Sequence, residues 1–233
     1  MKPPSSFKVI LKALIVIATV SIGVICSMAF GAVEIPISNV FQILSDSPDP
    51  IYKQIILESR LPRACAAILV GANLAISGAL LQTVTRNPLA DPGLIGVTAG
   101  AALAAVLVLA VVPSSAALLP VAAFVGAMLS AVLVYAVSWR PGAGSSPMRM
   151  ILAGVAINAV LGAVIGFLMT AFADRIPAIV FWTSGSFNGR GWTHVEMIWP
   201  YSLVGLLIAL WLRPRLSVME LGDDAASTMG IPV

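Results

Sequence analysis

Five long stretches of the chain carry no Asp, Glu, Lys or Arg: 13 to 33, 64 to 85, 92 to 139, 150 to 173 and 197 to 212. A helix that crosses a bilayer needs about 20 mostly apolar residues. The third stretch has 48 residues and therefore holds two spans, which makes about six in total. Only 10% of the residues are charged, against about 25% in a soluble domain, so a soluble fold is excluded. The sequence predicts an all-α, polytopic transmembrane helical bundle.

The first apolar stretch determines the topology. Three lysines precede it and Ala29-Phe30-Gly31-Ala32 follows it, a pattern that resembles a secretory signal peptide. Its 21 residues exceed the core of a signal peptide, about 7–15 residues, which favours an uncleaved span and a cytoplasmic N-terminus. Six spans from this start put eight of the 13 basic residues inside, as the positive-inside rule requires. The predicted spans are about 10 to 31, 64 to 83, 94 to 112, 118 to 139, 149 to 171 and 196 to 212.

The residue types that several other functions require are missing or scattered. No basic stripe with interleaved aromatic residues exists, so nucleic acid is not a predicted partner. His194 is the only histidine, and Cys26 and Cys65 stand alone in apolar surroundings, so the sequence predicts no metal site, disulfide or catalytic base. The loop from 141 to 147 has no Lys to reach a nucleotide phosphate. The chain is therefore predicted not to be an enzyme and to bind no cofactor itself.

Small residues recur at every fourth position in several spans. This spacing places each set on one helix face, where neighbouring backbones can approach closely, and it predicts a compact bundle. Asn158 belongs to one set and either faces a pathway or makes an interhelical hydrogen bond; both interpretations stay open. No ionisable residue lies at mid-membrane, which counts against an ion-coupled carrier. The sets are Ala67, Gly71, Ala75 and Ala79; Gly96, Gly100 and Ala104; Gly126 and Ser130; and Gly154, Asn158, Gly162 and Gly166.

Several motifs together carry a family resemblance. Glu-Ser-Arg-Leu-Pro-Arg at 58 to 63 runs into the small-residue span, and Arg-Asn-Pro-Leu-Ala-Asp-Pro-Gly follows at 86 to 93. Arg-Met-Ile-Leu-Ala-Gly at 149 to 154, Phe-Trp-Thr-Ser-Gly-Ser-Phe at 181 to 187 and the acidic segment after 220 continue the pattern. The chain resembles the permease subunit of the FecCD/BtuC-type ABC importers, which take up iron-siderophores, haem and cobalamin. Family permeases have ten spans, so we expect a truncated or divided permease that does not transport by itself.

The resemblance implies a function and a set of partners. It implies a permease subunit of a binding-protein-dependent importer for a metal chelate, in the inner membrane of a bacterium. The implied partners are an ABC ATPase that binds ATP and Mg²⁺, an extracytoplasmic substrate-binding protein, a second permease subunit (identical or not) and membrane lipid. Residues 1–233 would form one permease domain, with a cytoplasmic coupling segment at 213–233. The alternative is a secondary transporter or channel that is not driven by ATP.

The resemblance also implies site residues. Arg60 and Arg63 would dock acidic residues of the binding protein, whereas interfacial snorkelling of their side chains is the alternative. Asn87, Pro88 and Leu89 would lie at the inner end of the translocation path. In this hypothesis Leu89 is an apolar plug and Asn87 caps or hydrogen-bonds the adjacent helix. Gly154, Asn158 and Gly162 would line the same path from the fifth span.

The acidic segment after the sixth span is expected to seat in a groove of the ATPase. It has acidic residues in its first turn and Gly at its end, which is the pattern of a short helix. A helix this short needs a partner surface to be stable. A disordered acidic tail is the alternative. The predicted coupling residues are Glu220, Leu221, Gly222, Asp223, Asp224, Ala225, Ser227, Met229 and Gly230.

Overall fold

A computed structural model describes residues 6–42, 49–141 and 146–219. In these ranges the chain folds into helices joined by short turns, with no strand. A π-turn, Ile56–Arg60, joins α3 to α4, and short 3₁₀ turns precede α5, α6 and α8. The helices are α1 Ser6–Ala29, α2 Ile37–Gln42, α3 Pro50–Ile55, α4 Leu61–Thr85, α5 Val97–Val111, α6 Leu119–Ser138, α7 Pro147–Ala171, α8 Ile176–Thr183 and α9 Trp192–Met219.

The predicted all-α membrane fold is confirmed, with one span shorter than expected. α5 has 15 residues and a length of about 22 Å, less than the hydrocarbon core of a bilayer. α5 starts at Val97, three residues after the predicted position of about 94, because Pro92–Ile95 forms a 3₁₀ turn and Gly96 has a φ of 81°. The segments in the described ranges that are long and apolar enough to cross a membrane are Phe7–Ala29, Pro50–Thr85, Leu119–Ser138, Pro147–Ala171 and Trp192–Pro214.

The segment from 32 to 63, which lies between the first two predicted spans, is largely helical where the structure describes it. Asp49 accepts a hydrogen bond from the Ile51 amide at 2.9 Å, and Pro50 occupies the first turn, where its missing N–H costs nothing. α3 therefore starts at Pro50 and continues through the π-turn into α4.

The chain divides into two compact units, each described here by itself. The first unit comprises Met1–Ala72 and Phe187–Val204, and the second comprises Asn73–Ser186 and Gly205–Val233. The prediction of a single permease domain over 1–233 stays a prediction.

The centre of the second unit is the packing of α5 against α6, α7 and α8. Val106, Leu168 and Ile179 are buried together there. A Cβ atom built at Gly100 would lie 2.4 Å from the carbonyl oxygen of Gly126, and the converse distance is also 2.4 Å. The close approach predicted from the small-residue spacing is therefore confirmed for α5 and α6.

Candidate functional site

The segment from Asn87 to Gly96, here called the 87–96 turn, begins where α4 is stopped. Arg86 has a φ of 50°, which is the left-handed conformation. The Arg86 amide donates to Thr83 O at 3.2 Å and the Asn87 amide donates to Gln82 O at 3.1 Å. These two bonds form a Schellman motif, which normally has glycine at the left-handed position. An arginine there is strained, and such strain is retained where the surroundings require the conformation.

Side chains of the 87–96 turn then fold the segment onto itself. Asn87 Oδ1 accepts a hydrogen bond from the Leu89 amide at 2.9 Å, and Asp91 Oδ1 accepts one from the Gly93 amide at 2.7 Å. Asn87 thus shapes its own turn, and its role in capping or hydrogen-bonding the adjacent helix stays a prediction. The Leu89 side chain is 83% exposed, so it is available for contact with another molecule or with the path.

α6 and α7 hold the turn from two sides. Asn158 Nδ2 of α7 donates to Gly93 O at 2.8 Å, and Ser130 Oγ of α6 donates to Gly96 O at 2.8 Å. A Cβ atom built at Gly154 would lie only 2.0 Å from the Leu94 carbonyl oxygen. Glycine at 154 is therefore needed for α7 to reach the backbone of the turn. Of the two interpretations of Asn158, the structure displays the interhelical hydrogen bond.

The predicted path face of α7 consists of two parts. Gly154 and Asn158 pack against the 87–96 turn. Gly162 and Gly166, two and three turns further along, are exposed, and Cβ atoms built on them would meet nothing within 4 Å in the described part of the chain. The structure thus brings Gly154 and Asn158 together with the turn, and leaves Gly162 on an open face.

Two polar residues of α4 lie beside the same turn, and the sequence analysis assigned them no role. Asn73 and Ser77 line a cavity of about 370 Å³ that Pro92, Ile95 and Val97 also line. Their spacing of four residues places them on one face of α4, within the charge-free stretch from 64 to 85. That spacing was the available signal, because polar residues inside a span are costly unless they are used.

The two arginines predicted to dock a binding protein have different surroundings. Arg60 is 7% exposed, and its guanidinium donates to the carbonyl oxygens of Met28 and Val33, at the end of α1 and in the loop after it. Arg63 is exposed and lies beside a cavity of about 660 Å³ formed by residues of α1, α4 and Phe187. The docking assignment stays a prediction for both, and the burial of Arg60 favours a structural role.

The remaining predicted residues, Glu220 to Gly230, lie outside the described residues. Within the described ranges, no group of three or more His, Cys, Asp and Glu residues is arranged to hold a metal ion.

A model of the FecCD transport family matches residues 19–233 of the chain. The chain belongs to the FecCD transport family. The resemblance that the motifs around Arg60 and the 87–96 turn carry is thereby confirmed.

Curated FecCD-type relatives match most of the chain. The Fe(3+)-citrate import system permease protein YfmE of Bacillus subtilis (strain 168) is 36% identical over 231 residues, covering 98% of this chain and 66% of the relative. The ferric enterobactin transport system permease protein FepD of Escherichia coli (strain K12) is 38% identical over 205 residues, covering 88% and 61%. The cobalamin import system permease protein BtuC of Halobacterium salinarum is 38% identical over 186 residues, covering 79% and 50%. The chain spans about half to two thirds of the length of these relatives.

A solved structure has a fold similar to that of this chain. It is described as an inward-facing conformation of an ABC transporter assigned to the metal-chelate type. The match has a TM-score of 0.78 and 28% sequence identity, and it covers 91% of this chain and 65% of that one. The FecCD chain described here is therefore a multi-pass membrane protein with the fold of that permease.

Proposed function

We propose that the chain is a transmembrane permease subunit of a binding-protein-dependent ABC importer for metal chelates. The relatives are named as permeases for ferric citrate, ferric enterobactin and cobalamin, which supports a chelate of iron-siderophore, haem or cobalamin type. The chain itself would perform no chemistry. A partner ATPase would bind and hydrolyse ATP with Mg²⁺, and the permease would convert that hydrolysis into alternating access.

The observation that carries this proposal is the attachment of the 87–96 turn to α6 and α7. Hydrogen bonds from Ser130 and Asn158 and the backbone contact at Gly154 hold the turn at three points. Because protein interiors shift between packed states rather than deforming continuously, α7 and the turn would move as one body. A displacement of α7 would then carry the exposed Leu89 with it, which is what an inner gate requires.

The proposed topology places the N-terminus and the 87–96 turn in the cytoplasm of a bacterium, and the Arg63 end of α4 outside the inner membrane. The segment from 220 to 230 would seat in the ATPase, and exposed Arg63 would face the binding protein. The open Gly162 and Gly166 face of α7 suits close approach of a second permease subunit, identical or not. Lipid would cover the remaining apolar surface.

The test is ATP hydrolysis in proteoliposomes that contain the chain with the proposed second permease subunit, ATPase and binding protein. We expect hydrolysis that rises when the binding protein is added, and a loss of that rise in Leu89→Asp, which places a charge at the proposed gate. Met148→Asp is the control, because Met148 is an exposed apolar residue in the first turn of α7, where a helix N-terminus tolerates an acidic side chain. Hydrolysis indifferent to the binding protein would contradict the proposal.

A secondary transporter or channel remains the rival from a different class. It predicts chelate movement that persists without ATP and follows an imposed proton or sodium gradient. The stretches 64 to 85, 92 to 139 and 150 to 173 contain no charged residue to exchange such an ion, which favours the ABC importer.

A further inference from the structure

The π-turn Ile56–Arg60 has a cause that can be read from the residues around it. The Leu61 amide donates to Ile56 O, five residues back, and not to Leu57 O, four residues back. Leu57 O would next be offered the amide of residue 62, but Pro62 has no N–H. The π-turn and the proline together deprive the Leu57 carbonyl of a helical donor.

That carbonyl accepts a hydrogen bond from a distant residue. Trp192 Nε1, in the first turn of α9, donates to Leu57 O at 2.9 Å. A buried or half-buried carbonyl without a donor costs free energy, so the indole N–H stabilises the π-turn as well as joining α9 to it.

Arg60, the last residue of the π-turn, joins a third segment. Its Nη1 and Nη2 atoms donate to Met28 O and Val33 O, which brackets the loop from 29 to 34. The loop is also closed by the Ile35 amide, which donates to Ala29 O at 3.1 Å. Gly31 allows the approach, since a Cβ atom built there would lie 3.0 Å from Arg60 Nη2. Ala29 and Ile35 are 4% and 3% exposed, so the bracketed loop is packed as well as bonded.

We infer that Arg60 is a positioning residue of the docking surface and not itself a docking contact. This inference rests on the proposed function, which places this end of α4 against the binding protein. Arg60 fixes the loop that presents the exposed carboxylate of Glu34 relative to the helix that presents the exposed Arg63. A binding protein then meets a rigid arrangement of charges. Arg60 contributes through that arrangement because it is only 7% exposed and its Nη1 and Nη2 atoms donate to two backbone carbonyls.

The experiment uses the full chain in lipid nanodiscs and measures two properties. The first is hydrogen exchange of the amides from 30 to 35, which needs no partner. The second is the affinity for the proposed substrate-binding protein, measured over a series of NaCl concentrations. The variants are Arg60→Gln, Arg60→Lys, Gly31→Val and Arg63→Gln. Gly31→Val keeps the charge of Arg60 but must displace its guanidinium.

We expect Arg60→Gln and Gly31→Val to accelerate exchange in the loop by about tenfold or more, because the loop loses charge-assisted hydrogen bonds. Both should weaken binding while its dependence on salt is retained. Arg60→Lys should give exchange rates and affinities between those of the parent chain and Arg60→Gln, since a single ammonium group replaces a guanidinium that donates from two nitrogen atoms. Arg63→Gln should leave exchange unchanged, weaken binding up to about fivefold at low salt and reduce the salt dependence.

Two results would overturn the inference. One is an Arg60→Gln chain that loses salt dependence as Arg63→Gln does while its loop stays protected, because Arg60 would then contact the partner directly. The other is a Gly31→Val chain that exchanges fast but binds normally, because loop order would then be irrelevant to docking. If no variant weakens binding, docking at this face is contradicted, and with it that part of the proposed function. Weakened binding with unchanged exchange would contradict the positioning role of Arg60 but not docking at this face. If the Arg60→Gln chain does not insert into the membrane, the results for Arg60→Lys and Gly31→Val decide whether Arg60 is a positioning residue.

Discussion

Small residues at the same four-residue spacing have opposite surroundings on α5 and on α4. On α5, Gly100 lies so close to Gly126 of α6 that neither position has room for a Cβ atom. On α4, a Cβ atom built at Gly71 would meet nothing within 4 Å in the described part of the chain, and Gly71 lines the cavity of about 660 Å³ beside α1. The spacing therefore identifies a face suited to close packing, and the partner helix determines whether the packing occurs.

The difference has an energetic meaning. In a bilayer the hydrophobic effect does little to drive helices together, so helix association depends on dispersion contacts and interhelical hydrogen bonds. α5 and α6 have both, because Gly100 and Gly126 let the backbones touch and Ser130 donates to Gly96 O. The groove at Gly71 provides a shape that a further segment or lipid can fill. The two regions can be distinguished by giving each the same substitution.

The largest difference in stability between the two regions is expected when glycine is replaced by leucine. Gly100→Leu must push α5 and α6 apart, because even its Cβ atom would lie 2.4 Å from a backbone oxygen, and overpacking of this kind costs about 3 kcal/mol or more. Gly71→Leu places its side chain in the open groove and should cost less than about 1 kcal/mol. The midpoint of SDS-induced unfolding in mixed micelles, followed by tryptophan fluorescence, compares the two. Equal shifts would contradict the contrast.

A smaller difference should appear within α7 itself. Gly154→Ala puts a methyl group 2.0 Å from the Leu94 carbonyl oxygen and should destabilise the chain by about 2–3 kcal/mol, unless the turn detaches. Gly166→Ala, on the same helix and into open space, should be neutral or slightly stabilising. Hydrogen exchange of the amides from 89 to 96 reports detachment directly. A turn that stays protected in Gly154→Ala with no loss of stability would show that the contact is dispensable.

Much of the fold follows from the sequence, and the reasons are physical. Charge-free stretches of about 20 residues have few alternatives to a membrane helix, so the number and order of spans were predictable. The π-turn and the short α5 were not predicted, because each depends on one residue with two possible meanings. Pro62 lies just before the predicted second span, where a proline is typical of a helix start, but it interrupts the bonding of a continuous helix. Gly96 belongs to a set of small residues suited to packing, but it also supplies a φ of 81°.

The site was predicted less completely than the fold. Two prolines and a glycine between 87 and 93 are incompatible with a continuous helix, but the partner of Asn158 depends on how α7 packs against the turn. Arg60 and Arg63 are both basic residues of one motif, and residues three apart lie on nearly the same face of a helix. Arg60 is nevertheless buried and Arg63 exposed. Burial of a charged side chain on backbone carbonyls leaves no signal in a single sequence. The coupling residues from 220 onward lie outside the described ranges.

A still smaller loss of stability is expected when a single side-chain hydrogen bond is removed. Ser130→Ala removes the bond from α6 to Gly96 O, and interhelical bonds of this kind contribute about 0.6–1.7 kcal/mol. Thr170→Val is the control, because Thr170 Oγ1 donates to Gly166 O of its own helix at 3.0 Å, and such bonds add little. The same unfolding midpoint should shift measurably for Ser130→Ala and hardly at all for Thr170→Val. A larger shift for the threonine variant would mean that bonds along a helix matter more here than bonds between helices.

The smallest effect on the stability of the isolated chain is expected for Gly71→Ala. This variant tests most directly whether the small-residue face of α4 packs against a partner as that of α5 does. Alanine has the higher helix propensity, by about 0.8–1.0 kcal/mol in a helix interior, and a Cβ atom at 71 meets open space. The variant should therefore unfold at the same midpoint as the parent chain or slightly later. In the assembled complex the result depends on what fills the groove: a closely packed helix would make the methyl group costly, whereas lipid would accommodate it. Stability of Gly71→Ala should thus be measured twice, on the chain alone and on the complex. A loss confined to the complex would mean that α4 uses its small residues as α5 does, against a partner outside this chain, and no loss in either would mean that the groove is a lipid-facing surface.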